Sequence, residues 1–403
     1  MMVITIVIAT LGDAAARGIG PSGVVVTNPP TLTVTRRIRS TPWSSRIEAA
    51  GVRSYTVYNH MLLPTQFRGV EADYHHLRSS VQVWDVACER QVELFGPDAD
   101  RLAQLLTVRD LRKMDIGRCG YAPVVDANGR MLNDPVVLHV DVDRWWFSVA
   151  DSDLVLWAGG IALGKGLDVD VHEPGISPLA VQGPRSEDVM ARLFGDDVRA
   201  IRFFRFSVLP FDGHPLLVAR SGWSAQGGFE IYVDDDAVAC RLYDALMIAG
   251  EPDGIGPGCP NLIERIEAGL LTYGSDITRD DTALEAGLDR YCALDAPIEA
   301  IGLAALRRQR DEGVGRRIRG LTIGGPPVPL VRTRWPLHAG RGQVGRVTSA
   351  TWSPRLNTNV AIGMVDADFT AEGTPLDVDI AGECRQVTVC DLPFPGSSQR
   401  SNT

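Results

Sequence analysis

The chain has almost no lysine: Lys113 and Lys165 are the only two. Its basic side chains are otherwise arginines, and acids outnumber bases to a formal net charge of −10. A nucleic-acid binder needs a Lys/Arg excess to neutralise phosphates, so that class is disfavoured. The arginine bias reads as the habit of a GC-rich genome, with selection for bidentate carboxylate recognition as the alternative. No run approaches the roughly 18 to 20 apolar residues of a membrane span. Residues 2–11, MVITIVIATL, come nearest to a signal-peptide core, but no Lys or Arg precedes them. A cytoplasmic location is therefore expected.

Seven cysteines, without CxxC or CxxxC spacing, suggest neither a disulfide framework nor a zinc site. His75 and His76 are adjacent, which points them in different directions on a helix or strand, so no metal is expected. P-loop, GxGxxG, GxSxG and HExxH motifs are missing, which removes the usual support for nucleotide, nicotinamide, acyl-enzyme and zinc-protease chemistry.

What is present is a long, evenly apolar text. At 403 residues with 45% apolar side chains, two to three folded domains are expected. Residues 1–36 lack a lasting period and read as a disordered leader, and 397–403 as a tail. Helical spacing of Tyr74, Leu77 and Val81 hands over to an alternating strand in ERQVELFG. Asp98 is placed to cap the next helix, DADRLAQLL, with Leu102, Leu105 and Leu106 as its apolar stripe. A meander follows, with turns at Asn128-Gly129 and Asp141 to Arg144. From Pro178 the pattern restarts: LAVQGP, the helix SEDVMARLFG, strands over 201–232, a helix over 236–249, and the helix NLIERIEAGLL. Two similar rounds of strands and helices favour α+β units over a doubly wound sheet. Beyond about Ala304 only short β-like pieces remain, which suggests a small barrel or sandwich.

The segments LAVQGP (179–184), RSGWSAQGGFEIYV (220–233) and RIEAGLLTYGSDIT (265–278) resemble, in order and spacing, three blocks of the glycine-cleavage T-protein (aminomethyltransferase) family. The segments TPWSSRIEAAGVRSYTVYNHMLLPTQF, WDVACERQVELFGPDA, MLNDPVV, WWFSVADSD, GPGCPNLIERIEAGLL and VGRVTSATWSP are similar to the branch that demethylates dimethylsulfoniopropionate. The resemblance spans residues 37–395. It implies an α+β, three-domain cloverleaf: a folate-binding region over 37–304, with a second α+β unit inserted at about 85–175, and a C-terminal β-barrel over 305–396. It also implies a one-carbon transferase using tetrahydrofolate, with a small-molecule methyl donor as the other partner and no membrane or nucleic acid. Whether the assembly is a monomer or a homodimer stays open.

Moving a methyl from a sulfonium to a folate nitrogen needs no strong base, because the leaving group sheds its positive charge. Alignment is the main requirement, and positioning can lower such a barrier by roughly 7 to 11 kcal/mol. Aromatic faces can hold a sulfonium by cation–π attraction. Tyr121 and Trp223 are the substrate-binding candidates, with Tyr232 beside them, although each could be a half-buried strand aromatic. By the resemblance, Glu230 in GGFEIY binds the pterin, Tyr232 accompanies it on the folate, and Arg265 meets a folate or substrate carboxylate. Asp134 takes the family's catalytic acid near the reacting nitrogens, although relatives carry two consecutive acids and Asn133 stands in the first place. Gln226 stands where T-proteins commonly carry Glu, which argues against glycine cleavage itself. Tyr58, Asn59 and His60 are expected at the mouth of the site. Another methyl donor (a methoxyaromatic, a betaine or another sulfonium) is the first alternative, and a non-catalytic folate-binding protein the second.

Overall fold

A computed structural model describes Thr5–Ile6 and residues 32–397. The leader and tail expectations thus fall for the most part outside the described residues.

Two sheets, antiparallel but for one pair of strands, lie at the centre. The six-stranded sheet runs in the order 206–211, 214–219, 228–233, 177–182, 82–85 and 256–258, with only the last pair parallel. The five-stranded sheet runs 170–172, 91–95, 144–148, 136–141 and 118–121. All five of its strands lie between 82–85 and 177–182 in sequence, so the chain leaves the first sheet, builds the second and returns.

Alternation decides which face of each strand meets which layer. In Gly228–Val233, Phe229, Ile231 and Val233 join a core with Val189 of helix Ser186–Phe194 and Leu242 and Leu246 of helix Asp236–Ala249. Glu230 and Tyr232 therefore point to the other face. In Arg144–Ser148, Trp145 and Phe147 pack with Leu102 and Leu106 of helix Ala99–Leu106 and with Leu154 and Ala158 of helix Leu154–Lys165. Trp146 is turned the opposite way, into a layer with Cys119, Leu138, Leu217 and Tyr232. The two sheets thus pack on each other through this layer, with helices on both outer sides.

The stripe in Ala99–Leu106 is buried as its spacing predicts. Asp98, however, makes no side-chain cap: its carboxylate accepts the Asp168 amide at 2.8 Å and ties the helix to the segment leading into strand Asp170–His172. The helix read over 261–271 closes at Glu267, because the chain turns at Gly269, where φ is +67°. The expected C-terminal β domain is a closed six-stranded barrel, Arg316–Ile323, Thr358–Asp366, Gly342–Ser353, Trp335–Ala339, Pro375–Ile380 and Glu383–Cys390; it starts at Arg316 rather than 305, because Leu303–Glu312 is a helix whose Leu303 and Leu306 pack with Val125 and Met131. Closure removes the free edges that short strands would otherwise expose.

Candidate active site

The inter-sheet layer is apolar at one end and polar at the other. Across the five-stranded sheet, Cys119, Leu138 and Trp146 form one cross-strand row, and Tyr121, Val136, Ser148 and Gln91 form the next. On the facing sheet, Leu217 pairs with Tyr232, and the next row pairs Ala219 with Glu230. The site therefore begins where Leu138 and Trp146 give way to Tyr121 and Glu230.

Glu230 is buried, and the Ser221 and Tyr232 hydroxyls both donate to its Oε2, the latter at 3.4 Å. Burial nevertheless holds its carboxyl above the ordinary carboxylate range, against these two hydrogen bonds. Tyr121 donates to Asp134 Oδ2 at 2.8 Å. Asp134 Oδ1 is buried without a hydrogen-bond partner. Burial pushes the Asp134 carboxyl up to about 7, although the Tyr121 hydroxyl opposes the rise. Asn133, by contrast, is fully engaged: it donates to the Ala150 carbonyl at 3.1 Å and the Ser152 hydroxyl at 2.7 Å, and it accepts the Ala150 amide. Of the two neighbours only Asp134 has an oxygen to offer a ligand.

The rings sit around these acids. Trp146 lies 5.8 Å from Tyr232 and Tyr291 lies 4.8 Å from Tyr121, centroid to centroid. Tyr58, Tyr121 and Asp134 are half-buried with protein around their polar ends, and the space that they border between the ends of the two sheets is the candidate crevice. Two open hollows of about 310 Å3, one at Arg202 and Arg205 and one at Arg316 and Arg346, share no lining residue with this cluster. The crevice is the better site, because it alone gathers the acids and tyrosines.

The structure thus brings together Glu230, Tyr232, Tyr121 and Asp134. Trp223 rides the loop between 214–219 and 228–233, two residues after Ser221, and is half-buried. That loop is pinned from below by Gln182, whose amide nitrogen donates to the Ser221 carbonyl at 3.1 Å and whose oxygen accepts the Ser224 hydroxyl at 2.8 Å. Gly222, at φ +148°, lets the backbone pass directly over the Gln182 side chain, where a Cβ would collide with it. Gly222→Ala is expected to lower stability by about 1 to 3 kcal/mol and to loosen Ser221 from Glu230. Chemical denaturation checks the first effect and folate titration the second.

Arg265 is placed differently. It pairs with Asp276 at 2.7 Å and donates to Ser349 of the barrel at 2.6 Å, so its guanidinium joins the helix Leu262–Glu267 to the barrel. Tyr58 and Glu89 are the groups that sequence reasoning undervalued or missed. Glu89 escaped because Glu89, Gln91 and Glu93 alternate along ERQVELF like a solvent face, whereas that face looks onto the second sheet.

Residues 44–296 match the GCVT N-terminal domain, and residues 316–395 match the glycine cleavage T-protein C-terminal barrel domain. The chain belongs to the glycine-cleavage T-protein family. Within this family it is 53% identical to dimethylsulfoniopropionate demethylase from Ruegeria pomeroyi, over 88% of this chain and 96% of that protein. It is 27% identical to an aminomethyltransferase from Bacillus cereus, over 82% of this chain and 91% of that one. The crystal structure of glycine cleavage system aminomethyltransferase T from Bartonella henselae superposes with a TM-score of 0.80 at 23% identity, covering 90% of this chain and 99% of that one, which establishes the shared fold. T-protein family members are folate-dependent one-carbon transferases, and this chain is an enzyme of that class.

Proposed function

We propose that the protein demethylates dimethylsulfoniopropionate, with 3-methylmercaptopropionate and 5-methyltetrahydrofolate as products, and that it does so in the cytoplasm. The observation that carries this reading is the charge of the crevice. Glu230 and Asp134 face it together with tyrosines, and among the described residues no Lys, Arg or His lies within ion-pair distance of either acid. Such a site favours a cationic donor and opposes an anionic one. The 53% identity to a dimethylsulfoniopropionate demethylase points to the same donor.

Glu230 would hold the pterin, because a buried carboxylate can accept paired hydrogen bonds from the ring's amino and ring N–H groups. Tetrahydrofolate, when bound, supplies the nucleophilic nitrogen for the methyl. Asp134, with Oδ1 free, is placed to stabilise the positive charge that develops at the acceptor, an electrostatic role that requires no base. Tyr121 fixes the other Asp134 oxygen, and the inter-sheet layer below excludes water. Gln226 weakens the aminomethyltransferase alternative: it donates to Glu264 at 2.7 Å, and a glutamate in its place would set two carboxylates against each other.

Incubation with tetrahydrofolate and dimethylsulfoniopropionate should yield 5-methyltetrahydrofolate, read by mass. No turnover of this donor, with turnover of a methoxyaromatic or a betaine, would overturn the substrate assignment. The pH profile carries a further expectation. With the Asp134 carboxyl pushed up to about 7 by burial and its ionised form the acting one, the rate is expected to be full above that pH and to fall about tenfold per unit well below it. Tyr121→Phe removes the hydrogen bond that favours the carboxylate and should displace this limb to higher pH. Asp134→Asn should abolish it.

A further inference from the structure

The cross-strand rows continue past the last paired residues. Gln91 pairs with Ser148, and Ser148 with Val136; the Val149 amide still bonds the Arg90 carbonyl at 2.9 Å. Two residues beyond these pairs, past the strand ends, stand Glu89, Ala150 and Asp134, and the charges acting on the Glu89 carboxyl are those of Glu230 and then Asp134. The register thus sets Glu89 and Asp134 on either side of Ala150 at the rim of the crevice.

The hairpin 54–66 closes over this rim. Its turn residue Asn59 is buried at φ +49°, and its amide nitrogen donates to the carbonyls of Cys88, Val149 and Ala150 at 2.9, 3.3 and 3.1 Å. Its backbone N–H donates to Asp151 at 2.7 Å. The clamp grips the same strand ends that carry Glu89, so Tyr58, one residue earlier, is held beside them. Burial, with Glu89 and then Asp134 as the nearest charges, raises the Tyr58 hydroxyl well above its ordinary value. Arg90 offers Glu89 no relief. It is committed to Glu173 and Asp153, which alternation places on the other side of the strand. Among the described residues Glu89 has no ion-pair partner, and Asp134 Oδ1 beside it has no hydrogen bond.

We propose that Glu89 is a specificity-determining residue: with Tyr58 over it and Asp134 across Ala150, it forms the subsite that selects a positively charged methyl donor over its neutral thioether. The inference rests on the reading of the substrate as a methyl onium and adds the group that enforces it. Burial, with Glu230 and then Asp134 nearby, raises the Glu89 carboxyl well above the ordinary carboxylate range, so a sulfonium entering the rim beside the Tyr58 ring favours the charged form of Glu89 and is held by it, whereas the neutral thioether does neither. Once the methyl has left, the sulfur is neutral and that attraction is gone, so the same residue favours release of the product.

The test is calorimetric binding of dimethylsulfoniopropionate and of 3-methylmercaptopropionate, which carries the same carboxylate without the charge, to the full chain and to Glu89→Gln. The sulfonium is expected to lose at least about tenfold in affinity, while the thioether and tetrahydrofolate change less than twofold. Equal loss for both sulfur ligands, or no loss for the sulfonium, overturns the proposal. Should Glu89→Gln fail to fold by circular dichroism, Glu89→Asp, which keeps the charge but retracts it, is expected to give the same split in smaller measure; an equal effect on both ligands overturns it again. If the parent protein binds trimethylsulfonium or glycine betaine but not dimethylsulfoniopropionate, and Glu89→Gln abolishes that binding, the substrate assignment falls and this inference stands. If both proteins turn over dimethylsulfoniopropionate with the same KM, the assignment stands and this inference falls.

Discussion

Glu230→Gln is expected to weaken tetrahydrofolate binding by about 1.5 to 3 kcal/mol, roughly ten- to a hundredfold. The substitution keeps the shape of the side chain and still offers an oxygen to the Ser221 hydroxyl. It replaces the second acceptor with an NH2 group that would meet a pterin N–H donor to donor. Stability should not fall, because burial already penalises the Glu230 charge and the amide carries none. A fluorescence titration with tetrahydrofolate, beside a thermal melt, separates the two effects. Unchanged folate affinity would remove Glu230 from the pterin.

Arg265→Met should instead act on the fold, lowering the unfolding free energy by about 3 to 5 kcal/mol. Asp276 is fully buried, and its oxygens accept from Arg265, the Thr272 amide at 3.0 Å, Thr348 at 2.7 Å and Ser349 at 2.6 Å. Removing the guanidinium leaves an anion inside the contact between the helix Leu262–Glu267 and the barrel. Adding Asp276→Asn to Arg265→Met should recover part of the loss, because the stranded charge goes with it. If Arg265 served a folate carboxylate, Arg265→Met would weaken folate binding and leave the denaturation midpoint unmoved. The two roles are thus separable by one titration and one denaturation curve.

How much could be read from the chain alone depended on whether a feature was local. The placement of Glu230 and Tyr232 was legible because GGFEIYV carries its own signal: glycines that admit a close approach, then an alternation that turns these two residues away from the helical core. Asp134 was legible as a carboxylate in a tight segment, but its choice over Asn133 came only from Ala150 and Ser152, which consume the asparagine. Tyr58 was expected at the mouth of the site, but Glu89 was not, and the juxtaposition of the two was not legible. Their meeting is set by strand register and by a hairpin clamped 29 residues away through Asn59 and Cys88, and no short-range pattern reports such closure. The partners of Arg265 were hidden for the same reason, since one of them is Ser349 of the barrel, 84 residues on. Asp98 shows the smaller version: a cap-forming residue in the right place, claimed by a more distant amide. The helical and strand periods were recovered well, because burial on one face of an element is written in that element's own residues.

Pterin binding is expected between the two sheets, at the end of their shared layer where Glu230 stands. A crystal structure of the tetrahydrofolate complex tests this most directly. The expected result is a pterin edge hydrogen-bonded to Glu230, with the reacting nitrogen turned toward Asp134. A pterin seated on the barrel, or in either surface hollow, with Glu230 still bonded only to Ser221 and Tyr232, would contradict it.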